Sequence, residues 1–364
     1  MSLPLSRRTL MLTAAAAGIA PTSGVAAAPV DAAAGSPFEA AWAIYRRRFV
    51  RVAGRVVDTG NKGVSHSEGQ GWGMLFAEAA GDKESFRALW EWTRTHLRRE
   101  EDGLLAWRWL PDTDNPVPDR NNAADGDILV AWALARAAAR WDDGGFRDAA
   151  LALSRAILDH LVVREGPMAP VLLPGVQGFR RAEGITLNPS YYVFPAHPIL
   201  ARLAETAGDT DAAMLWQELS LTGLQVMRRA RFGKYGLPPD WLLVGADGSV
   251  APDPRFPPRF GYDAVRVPLY LAWAGLLDAE LAAPYRALWS TGIPGWVDLE
   301  TDAIAPYEER NGYRSVAELA LQVTNLGREP GSTALAAIPG SEDDYYSASL
   351  MLLAKLASAE GRQR

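Results

Sequence analysis

Cysteine is absent from this chain, so neither a disulfide nor a thiolate metal site can form. Histidine is scarce: the four residues His66, His96, His160 and His197 do not fall in a His-Glu-x-x-His or similar zinc-binding spacing. No Gly-x-Ser-x-Gly elbow offers a nucleophilic serine, and no Walker loop offers a phosphate cradle. Basic residues number 37 against 43 acidic ones, and the net charge of −6 argues against a nucleic-acid partner. Beyond residue 28 no stretch is apolar enough to cross a bilayer, so no membrane anchor is expected.

What remains is a chain of 364 residues, 48% hydrophobic and 22% charged, in the range of globular proteins. Thirteen tryptophans and eleven tyrosines are more than usual; flat rings suit sugar stacking, although most tryptophans simply fill cores. The first residues read as an export signal. The twin arginines of Ser6-Arg7-Arg8-Thr9-Leu10-Met11-Leu12 precede a short Ala-rich apolar stretch, with cleavage expected after Ala27 or Ala28. Residues 1–28 are therefore expected to be a Tat-like signal, and residues 29–364 a single exported domain, periplasmic or secreted.

Apolar spacing predicts helices in an alternating series. Phe38, Ala41, Trp42, Tyr45 and Phe49 place the first at Pro37–Val50. A buried segment at Leu75–Ala80 is followed by an amphipathic one at Lys83–Arg98, and Ala123–Trp141 by Phe146–Leu161. Ser190–Leu203 and Ala212–Met227 repeat the pair, as do Tyr262–Leu276 and Ala279–Trp289, with Ser315–Val323 and Tyr345–Ala359 closing the series. No series of β-strands is expected, apart from a short one at Val171-Leu172-Leu173. Buried helices alternating with covered ones imply an inner and an outer ring, an all-α (α/α)6 toroid of about six hairpins.

Acids gather where the buried helices begin. Glu68 stands in Ser67-Glu68-Gly69-Gln70-Gly71-Trp72-Gly73-Met74, a run that spends three glycines at alternate positions. Asp125 and Asp127 open the second buried helix, and Asp263, in Tyr262-Asp263-Ala264-Val265-Arg266, opens another. An acid at a helix start ordinarily caps free N–H groups. Three on one face, in a chain rich in Trp and Tyr, suit glycoside hydrolysis instead: one carboxyl protonates the leaving oxygen and another activates water or attacks the sugar. Asp125-x-Asp127 is also a possible divalent-cation pair. Asp240, in Pro238-Pro239-Asp240-Trp241, is a second candidate for the base.

Together the Ser67–Met74 run, Ala123-Ala124-Asp125-Gly126-Asp127 with Val130-Ala131, and Tyr262–Arg266 resemble glycoside hydrolase family 8, and most closely the cellulases encoded beside bacterial cellulose synthases. The likeness runs from about residue 38 to 358. It implies an (α/α)6 barrel and an inverting endo-β-1,4-glucanase that needs no cofactor or metal. By position Glu68 matches the general acid, Asp263 the general base, and Asp125 the acid that holds and distorts the sugar. Tyr191 resembles the tyrosine that holds the attacking water, and Arg266 the arginine that orients the base. Trp107 and Trp109 resemble stacking residues, and Tyr262 and Trp72 are further expected sugar contacts. Ala124 departs from the usual Ser or Thr, and Val130 and Ala135 are also off-pattern. The expected partner is a β-1,4-glucan chain, with association to the cellulose-synthesis machinery possible. The alternatives are a non-catalytic glucan-binding accessory, or the same fold acting on xylan, chitosan or mixed-linkage glucan.

Overall fold

The computed structural model describes residues 36–324, 335 and 337–361. The expected export signal lies outside them. The described residues belong to one compact unit, Ser36–Arg364, with eleven α-helices among them.

In chain order the helices are α1 (Pro37–Phe49), α2 (Ser67–Ala79), α3 (Lys83–His96), α4 (Ala124–Trp141), α5 (Gly144–Leu161) and α6 (His197–Thr206). They continue with α7 (Thr210–Arg229), α8 (Arg266–Ala274), α9 (Ala279–Trp289), α10 (Asn311–Thr324) and α11 (Tyr345–Gly361). Helices α2, α4, α8 and α11 are buried on nearly every side, as their small and apolar sequences require. Helices α1, α3, α5, α7 and α9 bury one face and turn charge outward. Helix α2 packs on α3 and α4, α4 on α5 and α6, and α6 on α7. Across the ring α8 packs on α10 and α11, and α11 returns to α1 and α2. This is the (α/α)6 barrel, and its core is filled by Trp72, Trp132, Trp216 and Trp273, all essentially out of solvent.

Two glycines set how closely the inner helices approach. A Cβ at Gly71 would stand 2.6 Å from Leu129 Cβ, and one at Gly126 would stand 2.1 Å from Ser67 Oγ and 2.8 Å from Glu68 N. Neither position tolerates a side chain while α2 and α4 keep this contact. Gln70, next to Gly71 on α2, ties the preceding loop and α3 to α2: Oε1 accepts from Val56 N at 2.6 Å, and Nε2 donates to Thr93 Oγ1 at 2.8 Å.

Three segments differ from expectation. Helix α2 begins at Ser67, so Glu68 lies in its first turn and not ahead of it. The segment expected as one helix at Ser190–Leu203 is a 3-10 turn, Pro189–Tyr191, then α6 from His197. Asn188 caps the turn, and Pro198 suits a helix's first positions but not its interior. Likewise Tyr262–Val265 is a turn ahead of α8.

The strands expected to be absent are present. A four-stranded antiparallel sheet runs in the order Arg180–Arg181, Gly184–Leu187, Leu242–Gly245, Val250–Pro252. Each strand spans two to four residues, too short for alternation to stand out against helical periods. The short strand expected at Val171 exists as Val171–Leu172, paired with Val162–Val163. Ser65–His66 pairs with Arg108–Trp109, which brings the Trp107–Trp109 segment beside the start of α2.

Candidate active site

The outer helices are capped in the ordinary way. Ser36, Asp82, Asp143, Asp209 and Asp278 accept backbone N–H groups at the starts of α1, α3, α5, α7 and α9. The starts of α2, α4 and α8 have no side-chain cap. The acids near those starts are therefore not spent as N-caps. Asp125 makes one local bond, accepting from Gly126 N at 2.8 Å.

They converge on one residue. Arg266, in the first turn of α8, presents Nη1 to Asp125 Oδ2 at 3.1 Å and Nη2 to Asp263 Oδ1 at 2.6 Å, and Nη1 also meets Glu68 Oε1. Glu68 and Asp263 keep 18% and 28% of their side-chain surface open, whereas Asp125 and Arg266 keep 3% each. Glu68 and Asp263 are thus the more open pair, and Asp125 and Arg266 lie deeper.

One guanidinium cannot neutralise three carboxylates in a site this dry, so protons are retained. Burial raises Asp125 to about 7 against its bond from Gly126. Burial also pushes Asp263 well above the ordinary carboxylate range, helped by the charges of Asp240 and Asp125. Arg266 pulls the other way through its contact with Asp263. Asn188, whose buried amide nitrogen has no aligned acceptor, likewise opposes the rise. Asp125 and Asp263 are thus both pushed towards the protonated form, so the site holds protons that free carboxylates would lose.

Tyr191 sits in the 3-10 turn, which contacts α4, α7 and α8. Its ring lies 6.0 Å from the Arg266 guanidinium, and burial together with Asp125 and Asp263 keeps its phenol protonated. Tyr262 is 54% exposed, donates to Glu309 Oε1 at 3.2 Å and receives Tyr346 Oη–H at its carbonyl. Trp107 and Trp109 are half-buried on the paired segment beside α2. Trp107 lies 6.0 Å from the His66 ring at 18°, under Arg108, and donates Nε1–H to Asp119 at 2.8 Å. Trp109 packs edge-on against Trp92 and under Arg55.

Trp72 is the expected sugar contact that the structure places elsewhere. It is wholly buried, with Nε1 3.4 Å from Tyr270 Oη and the Arg266 guanidinium 5.8 Å from its ring. One helical turn below Glu68, it is part of the floor under the acids and has no face to offer.

The Asp125-x-Asp127 pair is split. Asp127 turns away and accepts from Leu105 N and Asn122 Nδ2, both at 2.8 Å, and burial raises it to about 8. Among the described residues no group of three or more acids or histidines could hold a metal ion. Asp240, the second candidate for the base, lies half-buried and binds the backbone of the turn that carries Asp263. His66 is held down to about 4 by burial and Arg108, and so is neutral. The off-pattern Ala124, Val130 and Ala135 are all core positions, and Asp125 keeps both its Gly126 and Arg266 contacts without a neighbouring hydroxyl. Asn188 and Tyr346 escaped the sequence reading, since neither stands beside an acid in the chain.

The family model described as Glycosyl hydrolases family 8 matches residues 13–360. A probable endoglucanase of Novacetimonas hansenii is 43% identical over 324 residues, 88% of this chain and 90% of that protein. An endoglucanase of Cellulomonas uda is 38% identical over 288 residues, covering 78% of this chain and 77% of its own. Among solved structures, an endo-beta-1,4-glucanase from Acetobacter xylinum matches with a TM-score of 0.79 at 40% identity, covering 90% of this chain and all of that one (100%). With a family match across nearly its whole length and a barrel that gathers the motif acids on one arginine, the chain belongs to glycoside hydrolase family 8.

Proposed function

We propose that this protein is an exported, inverting endo-β-1,4-glucanase that cuts internal bonds of cellulose-like chains, with Glu68 as general acid and Asp263 as general base. The observation that carries the assignment is the shared guanidinium. Arg266 contacts both acids on different nitrogens, and both keep part of their surface open.

In the reaction, protonated Glu68 gives its proton to the glycosidic oxygen as the bond to the anomeric carbon breaks. Ionised Asp263 takes a proton from a water that attacks that carbon from the opposite face. Tyr191, a neutral phenol beside Asp263, orients this water. Asp125, held from below by Arg266, bonds the sugar at the cleavage subsite. Trp107, Trp109 and Tyr262 flank the chain, with Trp72 bracing the floor. Exchange with solvent then returns a proton to Glu68 and removes one from Asp263.

The twin-arginine start supports export, and the endoglucanase relatives support a glucan substrate. No helix among the described residues is long and apolar enough to cross a membrane. The same reading extends to a role beside a cellulose-synthesis machine, where internal cuts would relieve a growing chain.

Hydrolysis of carboxymethyl-cellulose by purified protein tests the activity and separates it from a purely glucan-binding role. Glu68→Gln and Asp263→Asn should each lower turnover by about 10²–10⁴-fold. Calorimetric binding of a cellooligosaccharide should survive in both. Turnover retained in either variant would overturn its role.

A further inference from the structure

We infer that Asp240 is a positioning residue for this site: it fastens the turn that presents Asp263 and does so through the backbone, without touching the sugar. The inference rests on Asp263 being the base. A single oxygen, Oδ1, accepts three amides of that turn, from Gly261 at 3.0 Å, Asp263 at 3.2 Å and Ala264 at 2.7 Å. No side chain caps the start of α8 itself, whose N-cap residue is Val265.

The anchor is itself fixed. Asp240 follows Pro238-Pro239, whose rings lock φ, and its own N–H donates to Arg259 O at 2.7 Å. Gly261 belongs to the same device. A Cβ there would stand 2.8 Å from Asp240 Oδ2, so only glycine lets the chain lie flat against the carboxylate. Burial raises Asp240 to about 6, but the oxygen receiving three N–H groups has no free direction for water, which argues against Asp240 as the base itself. Asp263, with one oxygen on Arg266 and part of its surface open, is the better placed of the two.

The anchor also carries charge. Asp240 faces Asp263 on its turn, Arg259 on the adjoining strand, Tyr313 on α10 and Tyr346 on α11, with Arg266 and Asp125 beyond Asp263. Only Arg259 and Arg266 in this group are cations. The net effect of Asp240 on Asp263 is to favour its protonated form, and so to make it a stronger base when ionised.

The test compares Asp240→Asn, Asp240→Ala and Asp263→Ala in the full-length enzyme, with kcat, KM and pH profiles on a soluble cellooligosaccharide, with and without azide. Azide attacks the anomeric carbon without needing a proton removed, forming a C–N bond as Glu68 protonates the leaving oxygen. It should therefore restore turnover to Asp263→Ala and not to Asp240→Ala. Asp240→Ala should lose about 10²-fold in kcat with KM little changed, the cost of a misplaced base. Asp240→Asn keeps an oxygen for the three amides and loses the charge, so it should lose less and move the acid limb of the kcat/KM profile to lower pH. Should Asp240→Ala fail to fold, Gly261→Ala takes its place, with the same expected loss and no azide rescue.

Wild-type kcat in Asp240→Ala or in Gly261→Ala would overturn the positioning role and leave Asp263 as the base. An unmoved acid limb in Asp240→Asn would overturn the charge effect. Azide rescue of Asp240→Ala but not of Asp263→Ala would overturn both the inference and the assignment beneath it.

Discussion

Arg266 is the residue on which the site balances, because among the described residues it is the one cation in contact with all three motif acids. Remove it and Glu68, Asp125 and Asp263 face each other with no counter-charge, so Asp125 and Asp263, already raised, are pushed further above the unfolded carboxylate range of about 4. For an acid with a raised folded value, stability is fully present below the unfolded value and drains away as pH rises towards the folded one. Asp125 stands at about 7 even with Arg266 present. Arg266→Met should thus be tolerated near pH 5 and lose about 3–5 kcal/mol by pH 8, the scale for a buried charge left unpaired. Thermal unfolding at the two pH values reads the difference, and equal losses at both would refute this account of the charge balance. Glu68, Asp125 and Asp263 were legible in the sequence because each stands near the start of a buried, uncharged helix. Trp72 was misread because a tryptophan among glycines looks exposed, although the residue one turn after Glu68 on an inner helix points into the ring. Asp240's bonds were hidden, since a residue in a Pro-rich loop gives no sign that it will meet a turn more than twenty positions later.

Between residue and fold stands the α2–α4 contact, which sets Glu68 against Asp125. Replacing a helix-interior glycine by alanine ordinarily stabilises by about 1 kcal/mol. At Gly126 the sign should reverse, because the new methyl would overlap Ser67 Oγ and crowd Glu68 N, at 2.1 and 2.8 Å. Overpacking of this kind costs about 1–3 kcal/mol, and relief by moving Ser67 would carry Glu68 with it. Gly126→Ala should therefore lower both Tm and kcat. Gly144→Ala, at the open start of α5 with nothing within 4 Å, should hold or raise Tm and leave kcat alone. If Gly126→Ala behaved like Gly144→Ala, the close approach would not be what positions the acids. At this scale the alternation of buried and amphipathic helices was readable, since a residue surrounded on all sides selects against charge throughout a segment. The four-stranded sheet was not, although Asp247-Gly248 between Leu242–Gly245 and Val250–Pro252 is a hairpin signal that a search for paired short strands would have found.

For the molecule as a whole, the ring brings together acids nearly two hundred positions apart in the chain, and the way it spaces them bears on stereochemistry. Glu68 meets Nη1 of Arg266 and Asp263 meets Nη2, so one guanidinium bridges the acid and the base. A retaining enzyme needs its two carboxyls about 5–5.5 Å apart for direct attack on the sugar, whereas an inverting one needs roughly 6.5–9.5 Å to admit water. Tyr191, whose ring lies beside the Arg266 guanidinium that holds Asp263, offers a neutral phenol suited to holding that water, which favours inversion. Cleavage of cellohexaose followed by proton NMR should accordingly show the α-anomer at the new reducing end first, with the β-anomer growing only as mutarotation proceeds. The rate should be bell-shaped in pH, falling on the acid side as Asp263 takes up a proton and on the alkaline side as Glu68 loses one. If the β-anomer appeared first, Asp263 would be a nucleophile, and the water and Tyr191 would lose the roles assigned to them.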